Sequence, residues 1–555
     1  MKKLMRKEKG VSGKLLLLLL VMMVTVMFIV ACDDAETPTT DTPGTTDTTD
    51  VADTTDTDEP TEPTEPTEIT DATEVTIWFM GASVEDDAAV IEAANARLAE
   101  LGAGVTINPI WTGGWAMGDP AQVALDTGDN SIDIFWTGSW GLNFWTNASV
   151  GNFIRLDNPD NDLLARYGQD MYAAVPEALW DAFTTDGPLG FGIYGIPGYK
   201  DYAQMYAWDV NNTRLEELGF DFDELFDENG INYAVFFDPQ FEAAMVAAKE
   251  MYGDTFFPLL IEPETFVRAA SNADLDLTGL SAFHFSFDPS NPANPVDPTI
   301  GLNLENEDFL AVIDRLHHFW NQGFIDPRLA IPGESSTVLV ETAIAGEYLF
   351  SQVVYAYGHT AAASDLRGID ARFPPMSRPL VSSVSAAGSG FAISVYSQNQ
   401  EAAMRFMNAW YTDNQLAVIL SEGVEGIHWN ADADGLIVLD HDARAGYAPW
   451  RFGMGNIFVL TPRDTDGVGY FDRFQAYNAA GTGTSLLGFT FDSEPVGLEI
   501  ASLQGVVDQF HQSLTVGAID PATAVEEYLS ALRANGIDVV LAELNAQLQA
   551  FYAAR

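Results

Sequence analysis

Blocks of sharply different character divide the start of the chain. Residues 15–31 are apolar except for Thr25, and six basic residues (Lys2, Lys3, Arg6, Lys7, Lys9 and Lys14) precede them against one acid, Glu8. A basic stretch followed by such a run is the pattern of an export signal, although about seventeen apolar residues could also just span a bilayer as a signal anchor. Residues 33–73 are almost wholly Thr, Asp, Glu and Pro, with fourteen acids. So few apolar groups cannot offset the entropy of ordering, and the segment reads as a disordered tether. Proline and self-repulsion would extend it to on the order of 100 Å. A folded body then begins abruptly at Val75-Thr76-Ile77-Trp78-Phe79-Met80, a buried-strand pattern. Ser83 with Asp86 resembles a capping box, opening a helix with Ile91, Ala94, Leu98 and Leu101 on one face and Gly102 at its end. Val105-Thr106-Ile107, a helical stretch over residues 121–126, and Ile132-Asp133-Ile134-Phe135-Trp136 follow. Strand–helix alternation of this kind predicts an α/β lobe with a largely parallel sheet.

In such sheets ligands bind beyond the carboxyl ends of the strands. Those ends carry Gly81-Ala82-Ser83, then Trp111-Thr112-Gly113-Gly114-Trp115, then Trp136-Thr137-Gly138-Ser139-Trp140. A single tryptophan is more often core than ligand platform. Four of them among glycines and hydroxyls on successive loops point to a binding mouth. Further on, Gly190-x-Gly192-x-x-Gly195 imitates a dinucleotide fingerprint, but Pro197 and a string of aromatics stand where the helix should open. These glycines suit a strand crossing between lobes. Near the C-terminus, Asp520-Pro521 is a cap and first-turn proline, Gly536 ends that helix, and Asp538 starts a last one with Leu541, Leu544, Leu548 and Phe551 inward.

Charge narrows the range of partners. The chain carries 25 basic and 81 acidic residues for a formal charge of −56, and six of the basic ones lie in the leader. Beyond it the only lysines are Lys200 and Lys249. Such a surface repels nucleic acid and anionic lipid headgroups. Solubility in a salty habitat is the simpler reading of the acidity. Cys32 is the only cysteine, so no disulfide can staple the body although exported proteins often use them. With about 250–300 residues as the usual limit for one core, two lobes or more are expected. Ile29-Val30-Ala31-Cys32 resembles the bacterial lipobox, in which the cysteine thiol takes a lipid and becomes the new N-terminus.

The pattern YGIPGYKDY over residues 194–202 is similar to the strand with which extracellular solute-binding proteins of sugar-type ABC importers cross to their second lobe. Gly388-Ser389-Gly390-Phe391-Ala392-Ile393-Ser394 and the helix after it resemble the family's return crossing. SEGVEGIHW over residues 421–429 resembles the signature of its large-substrate branch, with Ser-Glu in place of the usual tyrosine. Pro449-Trp450 and Gly455-Asn456-Ile457-Phe458 match the same branch, and the region from Gly488 looks like its C-terminal extension. The resemblance implies an α/β, two-lobe periplasmic-binding-protein-like (type II) fold with an interlobe cleft. Its crossing strands would lie near residues 190–195, 385–390 and 424–428. The implied domains are a signal peptide at 1–31, the tether at 32–73, an N-terminal lobe of 74–192 plus 387–425, and a C-terminal lobe of 193–386 plus 426–555. It also implies a monomeric receptor anchored through lipidated Cys32 on the outer face of the cell membrane, delivering its ligand to ABC permease subunits, with no cofactor.

Sugars place flat C–H faces on aromatic rings and hydroxyls on polar groups. The platform candidates are therefore Trp115, Trp136, Trp140, Tyr194, Tyr199, Trp208, Trp429 and Trp450, with Thr137, Ser139, Asp201 and Glu425 as polar contacts. Lys200 is either a ligand hook or a partner for an acid such as Asp201. Arginine is scarce, and an anionic ligand would want an arginine fork, so a neutral oligosaccharide is expected. No H-E-x-x-H, G-x-S-x-G or Walker loop occurs. Asn430-x-Asp432-x-Asp434-Gly435 imitates an EF-hand start, but His441 stands at the twelfth position, so a polar hairpin is expected and no metal site. A surface glycoside hydrolase, a peptide-binding receptor and an adhesive lipoprotein remain as rivals.

Overall fold

The computed structural model describes residues 72–554 apart from 82, 85, 113–117, 229, 263–279, 286–298, 356, 358–363 and 365–366. The leader, Cys32, the tether and Trp115 therefore lie outside the described residues.

Strand Thr73–Phe79 alternates as the sequence predicts, with Val75, Ile77 and Phe79 sealed on one face. It sits in a five-stranded sheet, between Val105–Trp111 and Ile134–Thr137, to both of which it is parallel. Gly390–Ile393 then adds antiparallel, and Ile196–Pro197 closes the far side, also antiparallel. Helices Ala88–Glu100 and Gln400–Thr412 pack on this sheet through Val90, Ala94 and Leu98 and through Phe406, Met407 and Trp410. The predicted capping box is corrected. Ser83 belongs instead to a two-residue strand paired with Tyr447-Ala448, and the helix starts at Ala88. Leu101 is left 40% exposed.

A second core is built on a four-stranded sheet in the order Ala371–Arg372, Met205–Asn211, Phe350–Tyr355, Leu259–Leu260. Glu307–Asn321 buries Phe309, Val312, Ile313, Leu316 and Phe319, a helical stripe begun by the Asn306 side chain capping the Phe309 N–H. The C-terminal helices join this core. Asp520 caps Pro521–Ala534 at the Ala522 N–H as expected, and Leu544 and Leu548 of Ile537–Ala554 are fully buried.

The two cores divide the chain differently from the expected boundaries. Ile437, Tyr447, Met454, Ile457, Leu460, Tyr470 and Phe474 pack into the first core, so residues 426–474 stay with the first lobe. The reason is a buried charge cluster. Glu422, at the end of helix Asn414–Glu422, is 0% exposed and is ion-paired with Arg444, with Arg463 at 2.8 Å and with Arg451 at 3.3 Å. Asp466 takes the other face of Arg451 at 2.8 Å. Burial would push the Glu422 carboxyl up, but the charges of Arg463, Arg451 and Arg444 outweigh it and hold it below the usual carboxylate range. No composition count could show that three arginines meet at one acid.

The crossings are also displaced. Residues 190–195 lie within the first lobe, where Gly192–Ile193 pairs with Thr184–Thr185. The chain passes between the cores at three adjacent segments instead. The Gln204 N–H bonds the Leu380 carbonyl and the Leu380 N–H returns to Gln204, while Thr482 and Thr484 N–H groups bond Pro379 and Val381. The expected crossing at 385–390 is close to the second of these; that at 424–428 is replaced by the third, near residues 481–484.

Candidate functional site

The loop after strand Ile134–Thr137 is the best-built part of the lobe junction. Thr137 is buried and its hydroxyl donates to the Leu142 carbonyl. The Ser139 hydroxyl donates to the Val384 carbonyl at 2.9 Å, and its N–H to Ala387. These bonds fix Trp140, whose indole N–H donates to the Gly388 carbonyl at 2.7 Å while the ring stays 51% exposed. Trp140 meets Trp136 at 5.2 Å and half-buried Trp450 at 5.9 Å between ring centroids. Trp136 is corrected from platform to foundation. It is 0% exposed, its indole N–H donates to Ser389, and Gly138 and Gly141 are close enough that a Cβ on either would lie 3.1 Å from its ring. Those glycines bring backbone onto the indole instead of uncovering it.

Lys200 comes near Gly388, with its Nζ 3.8 Å from where a Cβ on that glycine would sit. Lys200 and Asp201 are both buried and bond each other at 2.6 Å, so the lysine is partnered by its neighbouring acid and is no free hook. The Asn478 side chain donates to the Lys200 carbonyl and accepts from the Ala203 N–H, tying helix Tyr470–Ala480 to the first crossing segment. Tyr199 is half-buried against Phe458, with its hydroxyl accepting from Gln475.

Trp208 and Tyr194 are structural. Trp208 is 0% exposed in the second core, against Phe241 at 5.0 Å, with its N–H on the Asn232 carbonyl. A ring with both faces covered offers a sugar nothing. Tyr194 is 1% exposed and bonds the 189–190 turn. The SEGVEGIHW segment turns out to be a helix stop. Gly423 adopts φ 88°, where a Cβ would strike the His428 ring, and His428 Nδ1 accepts from the Val424 N–H. Burial first, and the Arg444 charge second, hold that imidazole below its ordinary pKa, in keeping with an acceptor nitrogen. Trp429 spends its indole N–H on the Gly423 carbonyl, and Glu425 is exposed on the turn. The Asn430–Gly435 stretch forms the expected hairpin, with Asp432 accepting from the Asp434 and Leu436 N–H groups.

The structure adds rings that sequence reasoning passed over. Tyr470 donates to the Tyr357 carbonyl at 2.8 Å, and Tyr477 lies 5.6 Å from Tyr357 and 6.4 Å from Tyr355. Tyr355 ends a second-lobe strand beside Phe373, whereas Tyr470 and Phe474 belong to the first core, so this cluster spans the junction. The Tyr477 hydroxyl is buried with no hydrogen-bond partner among the described residues, and burial raises its pKa far above the ordinary phenol range. The i, i+4, i+7 spacing of Tyr470, Phe474 and Tyr477 was the available signal.

A carbohydrate ABC transporter substrate-binding protein from Streptococcus pneumoniae is 23% identical over 448 residues, covering 79% of this chain and 83% of that protein. The crystal structure of the N-glycan transport solute-binding protein NgtS from the same species, in complex with Man5GlcNAc, superposes with a TM-score of 0.69 at 20% identity. It covers 87% of this chain and 99% of that one. The fold is that of an extracellular solute-binding protein. An HMO-binding, ABC-transporter-associated solute-binding protein from Bifidobacterium longum infantis matches 86% of the chain and 99% of its own at TM-score 0.55 and 15% identity. The model of a domain of unknown function, DUF3502, matches residues 485–553, the segment read from the sequence as a C-terminal extension. The resemblance to solute-binding proteins is thus borne out.

Proposed function

We propose that the protein is the non-enzymatic receptor of an ABC importer, taking a neutral oligosaccharide between its lobes and held at the outer face of the membrane by lipid on Cys32. The observation that carries this reading is the half-exposed Trp140 ring beside Trp450, fixed by hydrogen bonds at the lobe junction of a solute-binding-protein fold. Flat rings with fixed orientation suit pyranose C–H faces. The neutrality of the ligand rests on how the nearby cations are spent: Lys200 on Asp201, and Arg444, Arg451 and Arg463 on Glu422 and Asp466. A carboxylated sugar would find no unengaged cation among these. The names of the relatives, a carbohydrate substrate-binding protein and an N-glycan receptor bound to Man5GlcNAc, favour the same class.

Titration calorimetry of the mature chain against Man5GlcNAc, other neutral glycans, oligouronates and peptides tests the ligand class. Binding to neutral glycans is expected, and binding only to anions or peptides would overturn the reading. For the anchor, Cys32→Ser is expected to release the protein into the medium; retention of that variant on the membrane would refute lipidation at Cys32.

A further inference from the structure

Beside the hinge lies a groove of about 310 Å³ between the first lobe and the start of the C-terminal segment. Its first-lobe wall carries Asp181, Thr185, Asp186 and Phe191, and the opposite wall carries Ser383, Gly488 and Thr490. Ser383 is the clasp, since its hydroxyl donates to the Leu486 carbonyl and accepts from the Gly488 N–H. Neither Asp181 nor Asp186 forms an ion pair with a described residue, and no cation lines the groove.

Phe191 is 65% exposed, yet the loop that presents it is rigidly held. The buried Tyr194 hydroxyl donates to the Gly190 carbonyl at 2.9 Å and accepts from the Leu189 N–H at 3.2 Å. Arg155 donates to the Leu189 carbonyl at 3.0 Å and is itself paired with Asp157. Gly187 lets the loop close over Tyr194, because a Cβ there would lie 2.5 Å from that ring. Three hydrogen bonds thus hold the backbone at Leu189 and Gly190, immediately before Phe191, and set where its exposed ring stands at the rim of the groove.

We infer that this groove is a second carbohydrate subsite, taking a neutral pyranose on the Phe191 ring with its hydroxyls on Asp181, Asp186 and Thr490. The inference rests on the cleft reading above and extends it to longer ligands. The short helix Ser383–Ala386 joins the two places: Ser383 lines the groove, while Val384 and Gly388 accept from Ser139 and Trp140. Ser383 and Val384 are consecutive, so neighbouring residues hold the groove and the Trp140 loop, and one longer glycan would occupy both. The C-terminal segment then has a defined task, closing the outer subsite through Gly488 and Thr490, and Tyr194 is a positioning residue for Phe191.

Calorimetry with Man1GlcNAc and Man5GlcNAc on wild type, Phe191→Ala and Thr490→Ala tests this. Phe191→Ala is expected to weaken Man5GlcNAc about tenfold and Man1GlcNAc less than twofold, with an unchanged melting temperature. Tyr194→Phe should show the same length-dependent loss, which a merely structural role would not produce. If wild type binds both glycans and Phe191→Ala affects them equally or not at all, the subsite is refuted while the cleft stands. If wild type binds no neutral glycan, both fall.

Discussion

Replacing Glu422 by Gln should be the most damaging isosteric change in the first lobe. The carboxylate is fully buried and faces three guanidinium groups, of which Arg444 and Arg451 are themselves about nine-tenths buried. Losing one partner of a buried pair leaves uncompensated charge, at roughly 3–5 kcal/mol. Asp466 retains Arg451, and the Gln carbonyl can still accept from Arg463, so about 3 kcal/mol is expected. For a lobe of this size each kcal/mol moves the midpoint by about 2–4 °C, giving a fall of roughly 6–12 °C by calorimetry at pH 7. The sign with pH follows from the depressed carboxyl. Its contribution is complete above the unfolded pKa of about 4.3 and is lost as pH falls through the lower folded value. The gap between wild type and variant should therefore close on acidification. A shift under about 2 °C at pH 7, or a gap that widens in acid, would refute the account of why residues 426–474 stay with the first lobe.

Trp140→Ala should weaken oligosaccharide binding about tenfold with little change in stability, whereas Trp208→Ala should cost about 3–5 kcal/mol of folding; calorimetry separates the two, and equal effects would contradict their assigned roles. Tyr477→Phe removes a buried hydroxyl without a partner, so the unliganded protein should be as stable or up to about 1–3 kcal/mol more so in guanidinium melts. A loss of stability would show that the hydroxyl is satisfied. Gly481→Ala places a methyl 2.6 Å from the Ala203 Cβ between crossing segments, and about 1–3 kcal/mol of strain is expected there. It should change the balance of lobe positions in solution scattering, and an unchanged profile would argue that the crossings do not act as the hinge.

Local periodicity carried much of the fold. The Val75, Ile77 and Phe79 alternation and the Asp520–Pro521 start stand as read, because each depends on neighbours close in sequence. What failed depends on distant residues. Trp140 and Trp208 are alike in sequence, and only the second-lobe rings around Trp208 make it core. Ser83 could not cap a helix because its backbone pairs with Ala448, over 360 residues away. The lobe boundary was misplaced because the Glu422 cluster gathers arginines from three separate turns. Among the aromatic candidates Trp140 keeps an exposed ring and Trp450 a half-buried one, whereas Trp136, Tyr194 and Trp208 are sealed.

The claim that two halves shut on a sugar is tested most directly by small-angle scattering of the mature chain titrated with Man5GlcNAc, or with whichever neutral oligosaccharide calorimetry shows to bind. A saturable fall in radius of gyration, tracking the binding isotherm and weakened in Trp140→Ala, is the predicted result. Saturated binding with no change in dimensions would contradict it.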